Sequence, residues 1–409
     1  MVGPYRDLFS LPGVKGFVIT GFIGRMPMSM LGIGVVLLIS ALTGSYATAG
    51  AISATVSVAF AVAGPLSGRL VDMFGQTRVL IPLVLLHGAA LVALMLLAGN
   101  GAPVWTLFVA GAVAGAAATS LGSMVRARWT YLFSGSARLH TAFSFESVAD
   151  EVIFVSGPTI VTALATMVSP YAGLLLAVVL AVGGTVAFAL QRRTAPPVVR
   201  TGRRHQGTPI LIPGIALLSA VFLAMGAVFG SVDLITVAFA EDHGVKSAAG
   251  PLLGAFAGGS LVAGLWYGAR AWKISLHTRF RRGLAVFAAG LTPIVLIDNV
   301  IAMGVTLFVA GLAISPTIIT GYALVERLVP THLLTEGMSW ISTSVGFGVA
   351  IGAWAGGRLT DLFGASNAYA FSLLSGLLAV GIALGGSALL RVPETTVRPA
   401  AHPTGDQGS

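Results

Sequence analysis

A short polar stretch between two long apolar segments gives the clearest indication of the fold: Gly68-Arg69-Leu70-Val71-Asp72-Met73-Phe74-Gly75-Gln76-Thr77-Arg78-Val79-Leu80. Gly75 suits a tight turn, because glycine adopts backbone conformations that other residues avoid. Asp72 has two alternative places in such a turn. It lies in solvent, or it lies against the N-terminus of another helix, where free N–H groups and the helix dipole favour a carboxylate. The stretch therefore predicts two long helices that are joined by a turn.

The sequence on both sides of this turn, and nearly all of the remaining chain, is apolar. Charged residues make up 9% of the 409 residues and hydrophobic residues make up 56%, whereas charged residues are about 25% of a soluble domain. So few charges cannot cover the surface of a soluble protein of this size. The composition therefore predicts a membrane protein whose main solvent is the lipid bilayer.

Twelve apolar segments approach the roughly 20 residues that a helix needs to cross a bilayer. We expect membrane spans over residues 14–40, 48–67, 79–98, 103–125, 141–166, 170–190, 210–238, 248–268, 283–298, 301–324, 336–356 and 368–390. An even number of spans places both ends of the chain on the same side of the membrane.

Lys and Arg residues alternate strictly along these segments. Of the 23, three are exceptions (Arg25, Lys246 and Arg358), and the other 20 lie in every second gap or in the two tails. Because cytoplasmic loops carry the Lys/Arg excess, the pattern predicts a multi-pass protein of the inner (plasma) membrane with both termini in the cytoplasm. The net charge of +9 is explained by this topology and by anionic lipid headgroups, so we expect no nucleic-acid partner.

Several function classes lack their motifs in this sequence. The chain has no cysteine, which excludes disulfides, thiolate metal sites and cysteine nucleophiles. It also lacks a G-x-x-x-x-G-K-[ST] phosphate loop, a His/Glu metal motif and a G-x-S-x-G elbow. We therefore expect no enzyme activity, no cofactor and no metal ion.

Small residues predict where helices approach closely, since tight packing replaces the hydrophobic effect between helices in lipid. Glycines four residues apart lie on one face of a helix and suit such contacts. We expect them at three pairs: Gly111/Gly115, Gly254/Gly258 and Gly348/Gly352.

A weak repeat at an offset of about 200 residues predicts two parallel six-helix halves. The pattern Gly64-x-x-x-Gly68 recurs as Gly264-x-x-x-Gly268, Val125-Arg126-Ala127-Arg128 recurs as Leu324-Val325-Glu326-Arg327, and Gly157 matches Gly356 or Gly357. The predicted divisions are an N-terminal bundle (residues 1–191), a cytoplasmic linker (192–208), a C-terminal bundle (209–391) and a disordered cytoplasmic tail (392–409).

The polar stretch resembles the signature loop of the major facilitator superfamily of transporters, which lies between the second and third spans. Five residues match the signature: Gly68, Leu70, Asp72, Gly75 and Leu80. Three residues stand where the signature is usually basic: Met73, Gln76 and Thr77. The resemblance implies an all-α membrane protein with twelve transmembrane helices in two pseudo-symmetric six-helix bundles.

The resemblance also implies a conformational latch, which holds the cytoplasmic ends of the two bundles together in the outward-facing state. Its residues here are Gly68, Asp72 and Gly75, with Arg78 in part of the role of the usual basic residues. The alternative is a simple tight turn. A near copy of the loop over residues 357–364 lies on the other side of the membrane, and we expect it to be only a turn between two helices.

Ionisable residues inside the spans are costly and are therefore candidates for function. Arg25 and Glu151 lie at a similar depth of roughly 15–17 Å, at ~1.5 Å per residue. Arg25 needs a partner, and we expect Glu151 or Asp150; Glu146 shares a face with Asp150 nearer the cytoplasmic mouth. The pair is either a static contact that fixes helix packing or a site of proton coupling or substrate gating.

Two further features bear on transport. Asp233 in the seventh span binds a cationic substrate or a proton, or it is simply wetted by an outer vestibule. Gly157-Pro158 in the fifth span resembles a dipeptide of antiporters in this superfamily, although Val161 and Thr162 replace the glycine pair that usually follows.

Together these features predict a secondary transporter that works by alternating access. The overall resemblance to bacterial drug and sugar efflux permeases implies proton-coupled efflux of a small, fairly apolar molecule. The alternatives are uptake of a small metabolite, or a transport-dead membrane sensor or scaffold. The expected partners are the substrate, protons and membrane lipid, and the chain is expected to be a monomer.

Overall fold

The computed structural model describes residues 3–198, 207–245, 248–270 and 272–390. Within these ranges the chain forms sixteen α-helices and no β-strand: α1 (Gly3–Leu8), α2 (Val14–Arg25), α3 (Pro27–Thr43), α4 (Tyr46–Phe74), α5 (Gln76–Gly99), α6 (Val104–Ala117), α7 (Leu121–Phe133), α8 (Ala137–Met167), α9 (Ala172–Leu190), α10 (Pro213–Asp242), α11 (Ala249–Gly268), α12 (Leu276–Leu291), α13 (Val300–Gly311), α14 (Ile314–Leu328), α15 (Leu334–Phe363) and α16 (Ala365–Gly385). Part of the predicted linker (residues 199–206) and the whole predicted tail (residues 392–409) lie outside the described residues.

Helices α2 to α16 lie in the twelve segments expected from the sequence, because three pairs follow one another as broken spans: α2 with α3, α6 with α7, and α13 with α14. Among the described residues, ten segments are long and apolar enough to cross a membrane. The other two are α12 and α15. Helix α12 has only 16 residues and contains three arginines near its start, and α15 contains Glu336, Arg358 and Asp361. The all-α membrane fold is confirmed.

Two arginines that the charge pattern assigned to a loop lie inside the fold. The predicted fourth span ends at residue 125, but α7 continues to Phe133, and Arg126 and Arg128 are buried, at 3% and 0% exposure. The expectation was wrong because the charge rule places arginine in a loop unless a partner holds it inside, and the sequence does not show the partners.

A break in the first span lies directly after Arg25. Helix α2 ends at Arg25, and α3 begins at Pro27, because proline has no N–H to continue the helical hydrogen bonds. A second break separates α6 from α7 at residues 118–120. Both breaks line one cavity of about 220 Å³.

Two glycines with positive φ form the turns expected from the sequence. Gly75 (φ +86°) joins α4 to α5, and Gly364 (φ +80°) joins α15 to α16. A residue with a side chain is strained in this conformation. The two copies of the motif therefore share a turn, and they differ in what surrounds it.

Two of the three predicted glycine contacts are confirmed. A Cβ atom on Gly115 would collide with the carbonyl oxygen of Val56 in α4, and one on Gly352 would collide with that of Ala227 in α10. Their partners Gly111 and Gly348 face the same neighbouring helices. The expectation for Gly254/Gly258 is wrong, since both face open space, and it is the adjacent Gly259 that packs against α13.

Helices α2 to α9 pack mainly against one another, and so do α10 to α16; we call these sets the first and second halves. Two helix pairs make most of the contact between the halves: α4 with α15, and α8 with α11. The turns and loops that follow α4, α7, α9 and α14 lie at the same end of the bundle, and Arg69, Arg78, Arg138, Arg192 and Arg327 lie on or beside them. We call this the basic end.

The alternation of charge predicts which end faces the cytoplasm. Reporter fusions at Gly101 and Ser169 should give an external signal, and fusions at Gly135 and His277 should give a cytoplasmic signal, because the Lys/Arg excess stays inside. The measurement is the activity of a reporter that works on one side only. A cytoplasmic signal at Gly101 would contradict the twelve-span topology.

Candidate functional site

Buried charges meet where α2, α7 and α8 come together. The side chain of Arg25, at the end of α2, is 1% exposed and contacts two carboxylates of α8: Glu146 Oε2 at 2.6 Å and Asp150 Oδ1 at 2.8 Å. These carboxylates are four residues apart, so they project from the same face of α8. One arginine therefore lies between two acidic side chains in the interior of the fold.

A second arginine completes this group. Arg126 donates from Nη2 to Asp150 Oδ2 at 2.7 Å, and Trp129 donates from Nε1 to Glu146 Oε1 at 2.6 Å. We call Arg25, Arg126, Glu146 and Asp150 the four-charge cluster. Its charges balance, which offsets part of the cost of burying them. The Glu146 side chain is 0% exposed and that of Asp150 is 22% exposed, so Asp150 is the carboxylate that a proton or ligand can reach.

The structure selects among the partners expected for Arg25. The pairing with Asp150 is confirmed, whereas the pairing with Glu151 is wrong, because Glu151 leaves α8 in a different direction. Glu146, expected nearer the mouth, is the second partner. Arg126 was missed, although apolar residues on both sides of it continue the helical pattern and were a signal for a longer helix.

Two further carboxylates lie near the contact between the halves. Glu151 is half-buried beside Ser260 of α11. Asp233 of α10 is exposed, and its charge lies close enough to that of Glu151 for the two to repel. Among the described residues, neither forms an ion pair. The four-charge cluster is neutral, so these two carboxylates are acidic groups without a basic partner among the described residues.

Asp72 lies against the N-terminus of α15. Its Oδ2 accepts the N–H of Glu336 at 3.0 Å, and its Oδ1 accepts the N–H of Thr335 at 3.3 Å. A carboxylate in this place satisfies N–H groups that have no partner within the helix and interacts favourably with the helix dipole. Gly68, one turn earlier in α4, lets the two helices approach, since a Cβ there would lie 3.0 Å from the Cα of Glu336.

The residues around this contact differ from those expected. Arg78 is exposed, and among the described residues it makes no hydrogen bond or ion pair, so the structure gives it no part in the contact with α15. The basic residue whose charge is close to Glu336 is Arg69. Gln76 is held by Arg128, which donates to it from Nε at 2.7 Å and donates from Nη1 to Thr194 Oγ1 at 2.8 Å. Arg128 therefore ties the turn to the segment that follows α9.

A second contact between the halves lies at the C-terminal end of α11. Three donors from α1 and α8 bond to its carbonyl groups: Tyr5 to Leu265, His140 to Tyr267, and Thr141 to Gly268, each at 3.0 Å. The last carbonyls of a helix have no partner within it, so these donors stabilise the end of α11. Burial raises the pKa of Tyr5 to about 12, and its hydroxyl therefore remains a donor.

Gly157 and Pro158 lie inside α8. A Cβ on Gly157 would collide with Ser29 of α3, and the Ser29 hydroxyl donates to the carbonyl of Ile153 at 2.8 Å. The glycine therefore brings α3 and α8 together. The antiporter role implied by the dipeptide stays a prediction.

Two further hydrogen bonds join the halves at or near the basic end. Besides the two contacts above, Ser134 donates to Glu326 at 2.9 Å, and Ser123 and Ser342 share a bond of 3.4 Å. The two halves are thus held together at the basic end. Among the described residues, no three His, Asp or Glu side chains lie close enough together to hold a metal ion.

The chain is similar to known transporters in sequence. It matches the family model described as Major Facilitator Superfamily over residues 17–303, which is more than half of the chain. An uncharacterised transporter of the major facilitator type from Methanocaldococcus jannaschii is 37% identical over 82 residues. That match spans only 20% of this chain and 20% of the relative.

Solved transporter structures share the fold along most of their length. A bacterial homologue of the iron transporter ferroportin, in an outward-facing state, has a TM-score of 0.69 at 18% identity, covering 91% of this chain and 99% of that one. The human organic anion transporter MFSD10 has a TM-score of 0.72 at 12% identity, covering 91% and 100%. A proton:xylose symporter has a TM-score of 0.65 at 13% identity, covering 92% and 96%.

At these identities the structures establish the arrangement of helices and leave the substrate open. The match to the family model covers all of α3 to α12, including the turn at Gly75 and the carboxylates of α8. The chain therefore belongs to the Major Facilitator Superfamily of membrane transporters.

Proposed function

We propose that this chain is a proton-coupled exporter of a small, fairly apolar molecule. The observation that carries the proposal is the four-charge cluster, in which Asp150 is 22% exposed while two arginines hold its two oxygens. A buried carboxylate binds a proton more readily once a cationic partner moves away. A shift of α7 relative to α8 within the first half that separates Asp150 from Arg126 would therefore load a proton.

The substrate class is proposed from the cavity beside Arg25. Its volume is about 220 Å³, which suits a small molecule. Most of its lining is apolar, with a few hydroxyl groups, one imidazole and the guanidinium group of Arg25: Met28, Leu31, Val35, Phe60, Ser53, Ser57, Thr119, His87 and Arg25. A pocket of this kind binds apolar surface and orients the molecule with few polar contacts. Glu151 and Asp233 do not line this cavity; they lie near the contact between the halves, and in their ionised forms they favour a molecule that carries a positive charge.

The direction of transport is proposed from the topology. If the basic end faces the cytoplasm, as the charge rule predicts, the chain lies in the inner membrane with both termini inside, and the end at which the halves are held together faces the cytoplasm. A protonated outward-open state that converts to an inward-open state brings protons in. The return from the inward-open to the outward-open state, with the substrate bound, carries the molecule out. Uptake with protons remains the second candidate, since the proton:xylose symporter shares this fold.

We also propose that Asp72, Gly68 and Gly75 form the latch that holds the basic end closed. The contact of Asp72 with the first N–H groups of α15 supports this role, because it exists only while the halves touch. The contact of α8 with the end of α11 acts in parallel, so closure depends on both sides of the bundle.

Asp150→Asn tests proton coupling. Purified protein is first screened for small apolar and cationic compounds that raise its unfolding temperature, and a stabilising compound is then followed in vesicles with and without a pH gradient. The variant should lose accumulation driven by the gradient, because an amide binds no proton at this pH, while exchange of labelled for unlabelled compound without a gradient persists.

Asp361→Asn is the matched control, since Asp361 is exposed at the end of α15 and lies far from the cluster along the chain. It should accumulate the compound as the unmodified protein does. Accumulation by Asp150→Asn at the level of the control would assign the proton to another residue, with Asp233 next to be tested.

A further inference from the structure

Arg126 joins the four-charge cluster to the second half of the protein. Its guanidinium carbon lies 4.2 Å from the centre of the ring of Tyr322 in α14. Both residues are buried, at 3% and 6% exposure. A guanidinium group is attracted to the π electrons of an aromatic ring, and the attraction is greatest where water is excluded.

The guanidinium group contacts each half in a different way. Its Nη2 donates to Asp150 Oδ2 at 2.7 Å, and its central carbon lies over the ring of Tyr322. An arginine side chain can make both contacts at once, whereas the compact ammonium group of lysine cannot. Asp150 therefore helps to hold the guanidinium group over the ring.

Tyr322 is anchored to the helices that close the basic end. Its hydroxyl shares a hydrogen bond of 2.8 Å with Ser342 of α15, and its ring lies 6.1 Å from that of Phe222 in α10. Helix α15 is also the helix whose N-terminus Asp72 contacts. A change in the position of Arg126 consequently reaches the contact between the halves.

We propose that Arg126 is the positioning residue through which proton binding at Asp150 opens the basic end. The proposal rests on the proposed function, in which Asp150 is the proton site. A proton on Asp150 removes the charge that holds the edge of Arg126, so the guanidinium loses its orientation over Tyr322 and the ring contact weakens. The charged and titratable groups that surround this step are Arg25 of α2, Arg126 of α7, Glu146 and Glu151 of α8, and Tyr322 of α14.

The test measures closure directly with two spin labels. The chain has no cysteine, so Arg138→Cys and Arg327→Cys provide the only labelling sites; both positions are exposed at the basic end, one in each half. Distances are compared at neutral and mildly acidic pH for Tyr322→Leu and for Tyr322→Phe, which keeps the ring. In the otherwise unmodified pair, acid should increase the fraction of long distances.

Tyr322→Leu should show more long distances already at neutral pH, by roughly twofold to thirtyfold in the ratio of open to closed molecules, the range that corresponds to loss of one cation–π contact. Its distances should change little on acidification, because protonation of Asp150 can no longer weaken a contact between Arg126 and an aromatic ring. Tyr322→Phe should retain most of the response. If Tyr322→Leu does not fold, Arg126→Lys replaces it, since lysine keeps the charge and loses the stacked plane.

Equal distances in Tyr322→Leu and Tyr322→Phe at both pH values would overturn the inference, even if Asp150→Asn abolishes coupled transport. The opposite result separates the two proposals. If transport ignores the pH gradient but Tyr322→Leu opens the basic end and Tyr322→Phe does not, proton coupling fails and control of closure by the Arg126 contact is supported.

Discussion

Replacement of Arg25 by Met is expected to destabilise the folded protein by roughly 3–5 kcal/mol, the usual cost of removing one partner of a buried ion pair. Glu146 would keep only the N–H of Trp129, 2.6 Å away, and its side chain has no access to water. Asp150 would be affected less, because Arg126 still donates to it. The measurement is the free energy of unfolding of the purified protein in detergent.

A second substitution identifies the carboxylate that needs Arg25. Arg25→Met with Glu146→Gln should regain most of the lost stability, since a neutral amide is buried at lower cost and its oxygen still accepts from Trp129. Arg25→Met with Glu151→Gln is the matched control: it makes the same chemical change on the same helix without a contact to Arg25, and it should remain as unstable as the single variant. Rescue by Glu151→Gln, or equal rescue by both, would contradict the pairing seen in the structure.

This cluster shows how far sequence reasoning reaches for buried charges. The need of Arg25 for an acidic partner on the fifth span followed from its depth, because an unpaired charge in lipid is too costly. The choice among Glu146, Asp150 and Glu151 did not follow, since depth along a helix says nothing about which way each side chain points relative to a neighbouring helix. The burial of Arg126 was not predicted, because its partner, Asp150, lies 24 residues away on another helix.

The sequence predicted the two copies of the glycine repeat, but it did not predict which residues they contact. The two copies of the pattern lie at equivalent places in the contact between the halves: Gly68 of α4 faces α15, and Gly268 of α11 faces Ser144 of α8. The partners were not predictable, because Ser339 and Ser144 belong to no pattern in the sequence. The same limit applies to Asp72: the resemblance implied a latch at a helix N-terminus, and only the coordinates identify Thr335 and Glu336 as the donors.

Gly68→Ala is expected to open the basic end and to abolish transport without unfolding either half. An added Cβ would lie 2.7 Å from Ser339 Oγ and 3.0 Å from two backbone atoms of α15, the Cα of Glu336 and the carbonyl oxygen of Thr335. The serine can rotate away, but the backbone cannot move without moving the second half. Overpacking of this kind costs about 1–3 kcal/mol, which corresponds to a shift of roughly fivefold to 150-fold toward molecules that are open at the basic end.

Spin labels at Arg138→Cys and Arg327→Cys measure this shift, and Gly183→Ala is the control because nothing lies within 4 Å of a Cβ at that position. Asp72→Asn should move the distances in the same direction by a smaller amount, since the amide oxygen still accepts one N–H while the charge that interacts with the helix dipole is gone. Stability should stay close to that of the unmodified protein in all three variants, because the affected contacts lie between the halves and not within them. Closed distances and full transport in Gly68→Ala would show that α4 and α15 do not need this close approach, and the latch would then reduce to the tight turn at Gly75.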